Sequence, residues 1–283
     1  MMPPSQPPTL PLGKTSQIPQ RYDPSLLYPI PRSAGRAKFL GESAVLFSGC
    51  DRWDCFEVSW LTSGGLPQCA FAKIQYPAHS PNMVESKSLK LYLMGFNHER
   101  YGSPNALAEK IVTDLSQILG SSEVICELVP FEKIASPTPY HTLGACIDTD
   151  ATSPPTKGLR CLSKLGQGSG PALVQEQLYS HVLRSLCPVT HQPDWATVVV
   201  RYRGPQLDRN ALFHYLATYR NHPGFHEDCC ERIFTDILTA CGPTELAVGC
   251  YFARRGGIAI SPVRYRSSPE FCQALFAIRL DRQ

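Results

Sequence analysis

The segment Cys187-Pro188-Val189-Thr190-His191-Gln192-Pro193-Asp194 puts a thiol, an imidazole and a carboxylate within eight positions. A thiolate is a strong nucleophile, and a neighbouring imidazole or helix N-terminus raises the thiolate fraction. A carboxyl group whose pKa is raised by burial serves as a general acid. The ordinary alternatives are a buried cysteine at a strand end, a solvated histidine and a surface aspartate following proline. For Cys187 the flanking residues weigh against the ordinary one. Two prolines forbid a helix and stiffen a turn, and a core strand has no use for two prolines and an acid.

Two further groups carry chemistry. Phe225-His226-Glu227 opens a predicted helix. Either Glu227 complements the helix dipole while His226 caps it, or the aromatic stacks on a flat ring while the carboxylate accepts paired N–H donors, as a guanine-like edge offers. Glu85-Ser86-Lys87-Ser88-Leu89-Lys90 combines two lysines with two hydroxyls, which suits phosphate as well as it suits the polar face of an amphipathic segment. Arg254-Arg255-Gly256-Gly257 reads as a hairpin turn or as a second phosphate contact, since glycine lets a backbone approach closely. Gly166-Gln167-Gly168-Ser169-Gly170 hints at a dinucleotide loop but has Pro171 where a glycine is required and no βαβ unit around it, so it reads as linker. Cys187 and His191 with His226, Cys229 or Cys230 could offer zinc ligands, at a spacing that matches no common zinc motif.

The elements that must position these groups follow from periodicity. Leu178–Leu186 and Ala196–Tyr202 are predicted strands of a hairpin, with Cys187 leaving one and Asp194 entering the next. Trp53–Leu61 and Gln68–Tyr76 form a similar hairpin around Ser63–Pro67. Ser103-Pro104 starts a helix that Gly120 stops. Helices are also predicted over Leu207–Tyr219 and Glu227–Cys241, and strands over Glu123–Leu128, Leu246–Phe252 and Phe276–Leu280. The expected fold is α+β, with antiparallel sheets and helices on one face. Residues 1–35 read as a proline-rich arm, 36–155 as one module and 172–283 as a second, with the boundary in the loop-like stretch 150–171. Phe96-Asn97-His98 resembles Tyr219-Arg220-Asn221-His222, a trace of internal duplication.

The bulk properties bound the class. The 283 residues, 43% of them hydrophobic, suit one large or two ordinary globular domains, and a net charge of +3 without a basic run gives no general nucleic-acid grip. No apolar stretch is long enough for a bilayer span. Met1–Pro11 has no signal-peptide pattern, so a cytoplasmic protein is expected, with its twelve cysteines reduced.

On three segments, Cys187–Asp194, Glu85–Tyr92 and Phe225–Glu227, the chain resembles the NADPH-dependent 7-cyano-7-deazaguanine reductases, the nitrile reductases of queuosine biosynthesis, in their longer two-module form. The likeness runs from Leu10–Thr15 to Arg255–Gly257. It implies two tandem tunnelling-fold modules and a homodimer, with no direct nucleic-acid or membrane partner. The first half keeps Glu85–Tyr92 but has Leu66-Pro67-Gln68 at its hairpin; the second keeps Cys187, Asp194 and His226-Glu227 but has Leu212–Tyr215 in place of the lysines. A composite site built by both halves is therefore expected. By resemblance, Cys187 adds to the nitrile as a thioimide and Asp194 supplies the proton. Val84, Glu85, Ser86, Phe225, His226 and Glu227 hold the base, and Ser86, Lys87, Lys90, Arg255 and Gly256 hold NADPH. The competing readings are a Cys187 hydrolase or transferase, a catalytically silent purine binder, and a zinc-dependent cyclohydrolase relative.

Overall fold

The computed structural model describes residues 18–40, 45–150 and 173–283. The expected linker, its glycine-rich stretch and the Leu10–Thr15 segment lie outside the described residues. In chain order the elements are β1 (Pro29–Pro31), α1 (Arg32–Arg36), β2 (Ser48–Leu61), β3 (Pro67–Pro77), β4 (Asn82–Val84), α2 (Ser86–Met94), α3 (Pro104–Leu119), β5 (Ile125–Val129), β6 (Ala145–Cys146), β7 (Leu173–Leu186), β8 (Pro193–Pro205), α4 (Arg209–Ala217), α5 (His226–Cys241), β9 (Glu245–Phe252), β10 (Ile258–Arg266) and α6 (Pro269–Ala277). The chain forms two compact units that interleave along the sequence. Unit 1 comprises Met1–Ala34, Trp53–Ile134 and Gly256–Ile258; unit 2 comprises Gly35–Arg52, Ala135–Arg255 and Ala259–Gln283. No helix among the described residues is long and apolar enough to cross a membrane.

In unit 1 the strands run in the order β5-β3-β2, and β3 pairs antiparallel with β5 from Phe71↔Val129 to Gln75↔Ile125. The turn between β2 and β3 is closed by Thr62 N–H donating to Leu66 O at 2.8 Å and Gly65 N–H to Thr62 O at 2.9 Å. Helix α3 has the cap read in the sequence: Ser103 accepts from Ala106 N–H, Pro104 opens the helix, and Gly120 ends it at φ 66°. Leu107, Ile111, Leu115 and Leu119 are fully buried along one stripe of it. The proline-rich arm docks from Tyr22 onward. Tyr22 hydroxyl donates to Asp114 at 2.8 Å, and β1 pairs with β4 with Pro29 opposite Val84.

In unit 2 the order is β10-β9-β8-β7-β6, antiparallel except for the short β6–β7 pair. Alternate residues of its strands serve two cores, because successive side chains of a strand point to opposite faces. Val198, Val200, Leu246 and Val248 pack with residues of α4 and α5. Val199, Ala247, Tyr251 and Val263 pack with Cys272 and Leu275 of α6. The expectation of helices on one face therefore fails here: α6 covers the other face.

One more expectation is corrected at the C-terminus, and one strand is added. The predicted strand Phe276–Leu280 is instead the end of α6 and the coil after it. Ser268 caps that helix by accepting from Phe271 N–H, Pro269 follows, and the buried Phe271, Cys272 and Leu275 sit at helical spacing. Strand β10 escaped detection because Pro262 interrupts its apolar run; its pairing with β9 begins just after, at Val263↔Gly249.

The duplication trace has a structural counterpart. A hairpin, a nine-residue helix, a four-residue 3-10 turn and a sixteen-residue helix ended by a left-handed glycine occur as β2-β3-α2-α3 and again as β7-β8-α4-α5.

Candidate active site

The β7–β8 hairpin is in register from Ser185↔Asp194 and Leu186↔Pro193, so residues 187–192 form its loop. Cys187 N–H donates to Gln192 O at 2.9 Å and His191 N–H to Cys187 O at 3.0 Å, which closes the loop on itself. His191 holds φ 56°, a strained value for a residue with a side chain. Thr190 N–H lies 3.4 Å from Cys187 Sγ, a backbone donor aimed at the sulfur. Cys187 is 7% exposed, and its strand end is tied to the segment before α5: Leu186 N–H donates to His222 O at 2.9 Å, and Gly224 N–H to Leu186 O at 3.0 Å. The thiol and the start of α5 are therefore held together by backbone. His191 is exposed, and among the described residues no hydrogen bond joins its side chain to the thiol.

Asp194 is buried and bracketed. Arg255 Nη1 donates to Asp194 Oδ1 at 2.5 Å, and His226 Nε2 lies 3.4 Å from Asp194 Oδ2. The same guanidinium also donates to Gln192 Oε1. Burial pushes the Asp194 pKa up, but His226 first and then Arg255 outweigh it, and the carboxyl ends below its ordinary value. The expectation of a carboxylic acid stored by burial is corrected: Asp194 rests as a carboxylate between two cationic or donor groups.

His226 does not cap α5. Phe225 is the N-cap residue and offers no side-chain cap, whereas Ser103 caps the corresponding α3. A missing cap costs about 1 kcal/mol. His226 instead stacks on Phe252, with ring centroids 3.8 Å apart and planes at 11°. Phe252 ends β9 opposite Ala196, two residues beyond Asp194, so sheet pairing delivers the ring that holds the imidazole. Glu227, in the first turn of α5, is buried. No spacing rule would have found Phe252 or the Arg255–Asp194 contact, because sheet register brings these distant residues together.

In unit 1, Glu85 is the N-cap of α2. Its Oε1 accepts from Lys87 N–H at 2.7 Å and its Oε2 from Ser88 N–H at 2.8 Å, with Ser86 Oγ 3.3 Å from Oε1. Burial raises its pKa, against the pull of those backbone donors. Val84, on β4, is buried beside it.

Lys90 lies one turn further along α2, on a cavity of about 430 Å³ in unit 1 that Gly256 and Gly257 also line. Both glycines hold positive φ, 58° and 85°, and a Cβ built on Gly256 would sit 2.5 Å from Lys90 Nζ. Gly257 O accepts from Phe56 N–H at 2.9 Å, which pins this turn to β2. The structure thus brings Lys90 and Gly256 together, whereas Ser86, Lys87 and Arg255, expected with them, are not among the residues lining this cavity, and Arg255 reaches Asp194. A lysine beside open backbone fits a phosphate-bearing cofactor. Glu57, Ser59 and Asn97, absent from the sequence expectations, line the same cavity.

Comparison with known proteins places the chain among relatives. Residues 18–127 match the family model described as "Nitrile reductase, 7-cyano-7-deazaguanine-reductase N-term", and residues 193–270 match the one described as "QueF-like protein". Relatives named "NADPH-dependent 7-cyano-7-deazaguanine reductase" include one from Stenotrophomonas maltophilia, 44% identical over 91% of this chain and 92% of that protein. Another, from Chromohalobacter salexigens, is 44% identical over 90% of each, and a third, from Desulfotalea psychrophila, is 42% identical over 97% of each. Among solved structures, an apo archaeosine synthase QueF-Like aligns at 20% identity over 35% of this chain and 98% of that one, with a TM-score of 0.31, too low to establish a shared architecture.

Proposed function

The chain belongs to the family of NADPH-dependent 7-cyano-7-deazaguanine reductases, and from that premise we propose that Cys187 and Asp194 carry its chemistry. The enzyme is an oxidoreductase that uses NADPH to reduce the nitrile of 7-cyano-7-deazaguanine in queuosine biosynthesis. The product is the primary amine, 7-aminomethyl-7-deazaguanine. One observation carries the assignment of residues. Cys187, with the Thr190 amide on its sulfur, and Asp194, held by His226, sit at the two ends of one closed hairpin loop.

The thiol of Cys187 adds to the cyano carbon. A C–S bond forms, one C–N π bond breaks, and the thiol proton ends on nitrogen to give a thioimide. Asp194, a carboxylate at rest, takes that proton and passes it to nitrogen; positioned proton transfer of this kind contributes about 10²- to 10⁴-fold. When bound, NADPH supplies hydride to the former nitrile carbon. The thiol then leaves, reforming Cys187 and an imine, which is reduced in a second round. Across both rounds Asp194 and His226 hold or return the proton that each reduced nitrogen needs. Exclusion of water at the reacting carbon would protect the imine from hydrolysis.

Glu227 and Glu85 accept the N–H donors of the base. Glu85 Oε2 uses one lone pair on Ser88 N–H and keeps another for the base, whereas Oε1 accepts from both Lys87 N–H and the Ser86 hydroxyl. His226 orients the base, Phe225 stacks on it, and Val84 and Ser86 complete its contacts. Ser86, Lys87, Lys90, Arg255 and Gly256 hold NADPH; the cavity that joins Lys90 to Gly256 supports this for two of them. The repeated element order supports two copies of a tunnelling-fold plan. A cytoplasmic homodimer completes the proposal, on the strength of the family resemblance.

The test is incubation of pure protein with the nitrile base and NADPH. Oxidation of two NADPH for each primary amine formed is expected. No NADPH oxidation by folded protein rejects the assignment.

A further inference from the structure

The cavity in unit 1 holds more than the phosphate contact assigned to it. Its wall combines Lys90 with Glu57, and among the described residues neither side chain has a hydrogen-bond or ion-pair partner. An exposed lysine or glutamate without a partner is ordinary. Two of opposite sign set on one glycine turn are less so: Lys90 Nζ lies against Gly256, and Glu57 Oε2 is 2.4 Å from where a Cβ of Gly257 would stand. Leu93, Met94 and Ile258 give the cavity an apolar side. The cavity therefore offers a cation, an anion and an apolar wall in about 430 Å³. That is near the small end of the range for ligand sites, about 300–1,000 Å³.

We infer that this cavity seats the nicotinamide half of NADPH, with Glu57 accepting the hydroxyls of its ribose and Lys90 holding the adjoining phosphate. This rests on the reading that the chain binds NADPH through Lys90. The choice of half follows from charge. A carboxylate accepts well from a ribose diol but repels a 2′-phosphate, which in NADPH sits on the adenosine ribose. Glu57 beside that phosphate would select against the cofactor; beside the other ribose it contributes to binding. The flat nicotinamide ring then has Leu93, Met94 and Ile258 to lie on. Glu57 is exposed at the cavity rim, so Glu57→Gln, of the same size, leaves the fold intact.

The experiment is fluorescence titration of NADPH and of NADH into the full chain, comparing wild type, Glu57→Gln and Lys90→Ala, with circular dichroism as the fold control. Glu57→Gln is expected to weaken both cofactors by about tenfold, through loss of charge-assisted hydrogen bonds, and to leave their ratio unchanged. Tighter NADPH binding in Glu57→Gln, with NADH unaffected, would put the 2′-phosphate beside Glu57 and overturn the inference. Weakening by Lys90→Ala with no effect of Glu57→Gln would also overturn it and leave the cofactor reading standing. No effect of either variant would remove both.

Discussion

Replacing Asp194 by Asn separates bond formation from proton movement. The side chains are the same size, and the amide can keep both contacts: its oxygen accepts from Arg255 Nη1, and its NH2 donates to His226 Nε2 in the neutral ring. The charge and the ability to carry a proton are lost. Arg255 gives up an ionic partner, but its side chain is 43% exposed, so water replaces much of that interaction and the fold persists. The chemical cost is larger. Loss of a positioned proton carrier slows the step by about 10²- to 10⁴-fold, equivalent to about 3–5 kcal/mol of barrier. The assay has two parts, single-turnover loss of NADPH absorbance and intact-mass detection of the Cys187 adduct. Asp194→Asn is expected to accumulate some adduct and to reduce it slowly. Turnover at the wild-type rate would remove Asp194 from the mechanism.

Other expectations follow from the same contacts. Arg255→Ala removes one of the groups that depress the Asp194 pKa, so that pKa rises. The Asp194 carboxylate, and the stability it adds, is present above the ordinary carboxylate range and is lost as pH falls through the folded value. The acid limb of the cofactor-free rate of adduct formation should therefore move to higher pH in the variant; an unmoved or lowered limb contradicts the pairing. Arg264 is completely buried, with Nη1 2.8 Å from Asp51 Oδ1 and Nη2 2.9 Å from Glu231 Oε1. Arg264→Met leaves two buried carboxylates without that partner and should lower stability by about 3–5 kcal/mol, read from the urea midpoint. A midpoint unchanged from wild type would contradict it.

The sequence carried local information well. The hairpin around Cys187 was legible because prolines and strand composition act over a few residues, and α3 because Ser103-Pro104 and Gly120 mark its ends. Nonlocal facts were hidden. The second face of the unit 2 sheet is filled by α6, whose cap at Ser268 was passed over in favour of its apolar run. The resting charge of Asp194 depends on Arg255, sixty-one positions away, and the His226 ring depends on Phe252. Glu57 gave no signal, since one acidic residue on an outward strand position looks like solvated surface. Family resemblance pointed to the residue types at the site, and the sheet register accounts for how those in unit 2 meet.

The most direct measurement is the intact mass of the protein after exposure to the nitrile base without cofactor, followed by peptide mapping. A gain equal to the whole base, with nothing lost, is expected on Cys187 and is absent from Cys187→Ala. An enzyme that oxidises NADPH with this substrate yet never carries the base on Cys187, or carries it on another of the twelve cysteines, would contradict it.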